Sequence, residues 1–186
     1  MKPAHRPGRP PRSPRGRRAA GVLAALVLAP GCSATLGGVP LGLLAFMVVM
    51  AALLALWEIQ IEGKDGWAAN APCWRIEKGW VVKLTGGRPL TGYHLYMTLF
   101  LLGLVHLPLF FAAWSWRLEC LVLGFYVGMV FLEDFLWFVL NPHFGIRNFR
   151  KGKIWWHKDW WGPVPAMYWF LAAIVLALFT LGGAAG

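Results

Sequence analysis

Charge is missing from long stretches of this chain. No Asp, Glu, Lys or Arg occurs from Ala19 to Trp57, from Tyr93 to Trp114 or from Val164 to Leu181. Apolar runs of that length exclude an ordinary soluble domain and suit helices that cross a bilayer, each of which needs about 20 such residues. Cysteine is scarce and unpaired in pattern. Cys32, Cys73 and Cys120 form no CxxC or metal-ligand spacing, and their odd number argues against a disulfide framework. There is no phosphate-loop glycine pattern and no serine-centred nucleophile elbow. The first 18 residues carry Lys2, Arg6, Arg9, Arg12, Arg15, Arg17 and Arg18 but no aromatic residue and no apolar periodicity. They read as a disordered arm suited to anionic lipid head groups, and nothing in them makes a case for nucleic acid.

What remains is an all-α integral membrane protein, a polytopic helical bundle in which residues 19–186 form one membrane domain. Four transmembrane helices are expected at about 41–57, 93–114, 118–140 and 164–181. Ala19–Leu36, set apart by the turn-forming Gly37-Gly38-Val39-Pro40, is an N-terminal fifth span or a cleaved signal sequence. The connection 58–92 holds Lys64, Arg75, Lys78, Lys83 and Arg88, and the connection 141–163 holds Arg147, Arg150, Lys151, Lys153 and Lys158. With five spans these cations share a side with the basic arm, and Arg117 alone lies opposite. With four they divide almost evenly. The positive-inside rule prefers the first arrangement, which makes both connections cytoplasmic in a multi-pass cell-membrane protein.

Against this background, Glu133 and Asp134 stand out. They are adjacent acids inside the run Leu118–Leu140, about 10 Å from its end at 1.5 Å per residue. A carboxylate at such depth costs roughly 2.5–3.5 kcal/mol unless paired, protonated or bound to a cation, so an intramembrane acid is by default a functional site. Other polar groups share that end. Glu58 and Glu62 lie on one helix face, His94 opens the next span, and His143, His157 and Asp159 follow in the connection 141–163. Carboxylate with imidazole suits zinc, iron or manganese, although no HxxxH, HxxHH or ExxH spacing is present.

The expectation is therefore a metal-dependent membrane enzyme acting on a lipid or isoprenoid at the cytoplasmic face. Glu133, Asp134 and His94 are its candidate catalytic groups. Glu58, Glu62, His94, Glu133, His143 and His157 are its candidate ligands, and Arg147 and Arg150 would hold a substrate phosphate. The structural alternative pairs Glu133 with a cation such as Arg147. Two rival functions remain: a transporter or proton-coupled channel, which would want polar groups through the whole depth, and a non-catalytic subunit anchoring a partner complex. Membrane lipid is the expected partner, with a second copy of the chain or another membrane subunit also allowed. The Trp-rich stretch Lys153–Pro163 reads as an interfacial anchor that would also cover the helix ends near Glu133. His106, on the outer half of its span, is placed to meet Glu119. Finally, Pro72–Glu77 with Trp80–Leu84 is expected to form a short hairpin.

Overall fold

The structure is a computed structural model that describes residues 34–184. The basic arm, Cys32 and all but the last residues of the candidate span 19–36 lie outside them. Four helical segments are long and apolar enough to cross a membrane. In chain order the elements are β1 (Thr35–Leu36), β2 (Val39–Pro40), α1 (Leu41–Glu62), β3 (Arg75–Ile76), α2 (Trp80–Leu84), β4 (Leu90–Thr91), α3 (Gly92–Val105), α4 (Trp116–Leu140), β5 (Trp160–Trp161), β6 (Val164–Pro165) and α5 (Ala166–Gly183). The strands form three two-residue antiparallel pairs, β1–β2, β3–β4 and β5–β6. Each pair ends at the residue just before one of the long apolar helices, so each fixes where that helix begins.

The expected hairpin has a different partner. Arg75–Ile76 pairs with Leu90–Thr91, while Trp80–Leu84 makes the helical turn α2. Thr85 closes that turn by donating its hydroxyl to the carbonyls of Val82, at 3.0 Å, and Arg88, at 2.7 Å. The left-handed Gly86 and Gly87 then reverse the chain.

Helix α4 is the centre of the bundle and packs along both α1 and α5. Close approach depends on glycine. A Cβ at Gly124 would stand 2.8 Å from the Phe179 ring of α5, and one at Gly128 would stand 2.5 Å from Met47 Sδ of α1. Apolar side chains gain nothing by leaving lipid for each other, so membrane helices associate through such small-residue contacts and van der Waals packing. By contrast α3 touches α4 lightly and buries only Gly92 and Leu101. Its regular helix stops at Val105 and continues as a 3-10 turn, Leu107–Phe110, short of the expected Trp114. Pro108 explains the break, because its ring clashes with the preceding turn and it has no N–H to donate. His106 is fixed there, with Nδ1 2.6 Å from the Leu102 carbonyl and Nε2 3.1 Å from Glu119 Oε1.

At the opposite end the connections fold over the helix termini. Trp137, Phe138, Ile154 and Trp156 form a buried cluster with Ala55 and Ile59 of α1. Asn141 Nδ2 donates to the Gly63 carbonyl at 2.7 Å, which joins the last turns of α1 and α4. Just beyond, Lys64 Nζ sits 2.8 Å from Asp65 Oδ1, and this bond, helped by Asn70, holds the Asp65 carboxyl below its ordinary range.

Candidate functional site

A cavity of about 140 Å³ lies under this cover, lined among others by Glu58, Glu62, His94, Glu133 and Asp134. The acids divide into two groups with different partners. Asp134 is well partnered. Its Oδ2 accepts from His157 Nε2 at 3.0 Å and from the Tyr168 hydroxyl, and Arg88 Nη1 lies 3.9 Å from Oδ1. His157 is itself enclosed by the rings of Phe138, Trp156 and Tyr168. The Trp-rich stretch therefore does more than cover the site, because it supplies a donor to it.

Glu62 is also engaged. Its Oε1 accepts from the Ala68 backbone N–H at 2.5 Å and stands 3.3 Å from His94 Nε2. His94 Nδ1 is 2.6 Å from Thr91 Oγ1, and the ring stacks on Trp67 with centroids 4.2 Å apart. Trp67 also carries Arg88, 4.9 Å from the ring centroid, and donates its Nε1–H to the Pro89 carbonyl at 2.8 Å. Trp67 and Ala68 both have left-handed backbones, at φ 51° and 47°. Such conformations cost non-glycine residues of order 1–3 kcal/mol each and persist only where the surroundings enforce them. Here the surroundings are the His94 ring and the Glu62 carboxylate.

Glu58 and Glu133 form the remaining pair. Their carboxyls lie within hydrogen-bonding reach of one another, with Tyr93 donating its hydroxyl to Glu58 Oε1 at 3.3 Å. Both residues are buried, 5% and 6% exposed. Two facing carboxylates in a low-dielectric cavity repel strongly unless one proton or one cation stands between them. Among the described residues no cation pairs with Glu133, and its Oε1 is buried without a hydrogen-bond partner.

The structure brings Glu58, Glu62, His94, Glu133 and Asp134 together around one space and sets His157 behind Asp134. It separates the others. His143, Arg147 and Arg150 are exposed and do not line the cavity. Asn141 is the reason. Its Oδ1 accepts from the backbone N–H of His143 and Phe144, which turns the chain so that Phe144 and Phe149 pack on Phe138 while the polar residues face outward. The structural pairing of Glu133 with Arg147 is absent for the same reason, and Arg88 is the cation of the site, on Asp134. Among the described residues no group of three or more His, Cys, Asp or Glu side chains has metal-binding geometry.

Sequence reasoning missed Arg88, Thr91, Tyr93, Trp67 and Tyr168. One of them was signalled, since Thr91 precedes His94 by three residues, the spacing of a helix N-cap to the N–H it caps. The Thr91 hydroxyl indeed accepts from His94 N–H at 3.2 Å. No known family model matches the chain, and no curated protein or solved structure shows significant similarity to it.

Proposed function

We propose that this protein is a membrane enzyme acting by acid–base chemistry on a lipid or isoprenoid at the cytoplasmic face. The observation that carries the reading is the Glu58–Glu133 pair, buried, partnerless at Glu133 Oε1, and part of the lining of a cavity. A buried carboxyl oxygen without a donor is rare, because it costs about 1–3 kcal/mol or more. A shared proton makes one carboxyl an acid and the other a base, the arrangement needed to move a proton on and off a substrate. Tyr93 holds Glu58 through its hydroxyl, and the Glu62–His94 pair lines the same cavity. Asp134, with Arg88, His157 and Tyr168, acts as a positioning group rather than a reacting one, since Oδ2 already accepts two hydrogen bonds and Oδ1 faces Arg88.

The cavity alone has room for several waters or the head of an amphiphile, not for a whole lipid. A second, mainly apolar space of about 350 Å³ adjoins it between α3 and α5 and shares Trp67, Arg88, His94, Thr98 and Leu171 with it. A head group in the first space and a chain in the second is the fit this suggests. A channel reading is disfavoured, because the space among the outer halves of α1, α3 and α4 is lined by apolar side chains alone, from Leu43 and Phe46 to Phe125 and Met129.

The test is turnover. Protein in vesicles is incubated with extracted membrane lipids and isoprenoids, and the mixture is compared by mass spectrometry with a Glu133→Gln control. One amphiphile class should be consumed by the wild type, about 10²-fold or more faster than by the variant. Equal consumption, or none, overturns the reading. Orientation is checked separately. Cysteine introduced at Lys64 or Lys151 should react in intact cells only with membrane-permeant reagents, and labelling by an impermeant one reverses the assigned face.

A bound cation is the second reading, favoured by the partnerless Glu133 Oε1. Glu58 and Glu133 would then hold zinc, iron or manganese in place of the shared proton, and further ligands would come only with side-chain movement, since Glu62 and His94 already face each other. Elemental analysis of protein purified without chelators decides between them. A preparation that holds no stoichiometric metal and cannot be loaded rules the cation out.

A further inference from the structure

Among the described residues, two side chains that line the cavity each hold a buried polar atom without a partner: Glu133 Oε1, which can only accept while ionised, and Trp137 Nε1, which can only donate. Both residues line the same cavity, and they are one turn apart on α4, where i and i+4 side chains are neighbours. Trp137 cannot turn its N–H to water. It is 3% exposed and its ring is wedged against Phe138, Phe144 and Trp156.

The complement of a neighbouring acceptor and donor is a group that does both. A hydroxyl is the smallest such organic group, since its O–H donates to Glu133 while its oxygen accepts from Trp137. An ether, ester or ketone only accepts and would leave Glu133 bare. A phosphate or carboxylate would add negative charge beside Glu58, Glu62 and Glu133. An ammonium only donates and would leave Trp137 unmet. The apolar side chains Leu84, Leu90, Leu95, Met167 and Leu171 line the adjoining space between α3 and α5, so the remainder of the molecule is a hydrocarbon chain.

We infer that the cavity binds a lipid alcohol, its hydroxyl between Glu133 and Trp137 and its chain between α3 and α5. This deepens the reading of the site as one for an amphiphile and rests on it. The experiment is equilibrium binding of radiolabelled geranylgeraniol to the full chain in detergent, against its methyl ether as competitor. Wild type should bind the alcohol saturably and the ether at least tenfold more weakly. Trp137→Phe keeps the ring, removes the donor, and should weaken the alcohol by about three- to tenfold. Leu171→Trp, which fills the chain space, should abolish binding while the protein stays folded by thermal unfolding.

Equal affinity for alcohol and ether, or no saturable binding, overturns the inference and leaves water as the partner of both atoms. So does an unchanged affinity in a folded Trp137→Phe. Because binding needs no chemistry, the two readings fail apart. Alcohol binding without turnover sinks only the enzyme, and turnover of a lipid without a hydroxyl sinks only this inference.

Discussion

From Trp116 to Met129, helix α4 is held mainly by close packing, with single hydrogen bonds at Arg117, Glu119 and Tyr126, while from Val130 to Leu140 a buried polar network and a cluster of rings hold the same helix. In the first half, Gly124 and Gly128 let α5 and α1 come near, and the partners are Phe179, Leu178 and Met47. In the second half, Glu133 and Asp134 meet groups from every other membrane helix or its preceding loop, and Trp137 and Phe138 meet a cluster of rings. The difference follows from the solvent. Where lipid surrounds the bundle, apolar contact brings no transfer gain and shape decides. Where loops cover the helix ends, water competes, so burial of Ile154 and Trp156 against Ala55 and Ile59 stabilises by about 1.5–3 kcal/mol for each large side chain.

The comparison can be broken most severely at Asp134. Replacing it with Ala strands the Arg88 guanidinium and removes the acceptor of His157 and Tyr168. Losing one side of a buried charged network costs about 3–5 kcal/mol, to be read from chemical unfolding in a mild detergent. A loss under about 1 kcal/mol would mean that the network does not hold this end together. Next comes the packed half. Gly128→Leu should destabilise by about 1–3 kcal/mol in the same unfolding measurement, since Met47 must give way to the new side chain. If this substitution is tolerated without loss, α1 and α4 are not in tight contact.

Smaller still is the His106–Glu119 pair at the far end of the bundle from the cavity. Here His106→Phe should cost about 1 kcal/mol, because both partners are only half-buried and Glu119 keeps the Trp114 N–H at 3.2 Å. The smallest effect on folding belongs to Glu133→Gln. Stability should stay within about 0.5 kcal/mol of wild type or rise, because the change relieves a carboxyl repulsion and removes no pairing cation. A large loss would show that Glu133 is structural after all. Adjacent acids would then fail to give the expected contrast, a collapse at 134 and near silence at 133.

Much of this architecture was legible in the chain. Length and apolarity placed the four helices to within a few residues, except where Pro108 cut one short. Depth alone singled out Glu133 and Asp134, and the shared end of Glu58, Glu62 and His94 followed from topology. What was not legible is how the connections fold back. Arg88 and Arg147 are alike in a sequence, each a cation in a loop near a helix end. One is drawn over the cavity by the Gly86-Gly87 reversal and the Trp67 face, and the other is turned away by the Asn141 cap. Tyr168 was equally hidden, because an aromatic residue near the start of a membrane helix reads as an interfacial anchor whether or not its hydroxyl finds a buried acid.

The bond from Asn141 to Gly63 has one more consequence, an electrical one. It means that α1 and α4 finish side by side, so the negative ends of two backbone macrodipoles converge on the cavity. Glu62 is the last residue of α1 and Glu58 lies one turn earlier, where an acid is disfavoured by about 0.3–1 kcal/mol. The antiparallel neighbours supply the opposite sign. Tyr93 and His94 belong to the first turn of α3, and Tyr168 to the first turn of α5, the positive ends of their helices. Each engaged acid, Glu58, Glu62 and Asp134, thus meets a group from the first turn of an antiparallel helix. The direction in which each helix crosses the membrane gives the cavity a standing field, negative toward α1 and α4 and positive toward α3 and α5, before any side chain ionises.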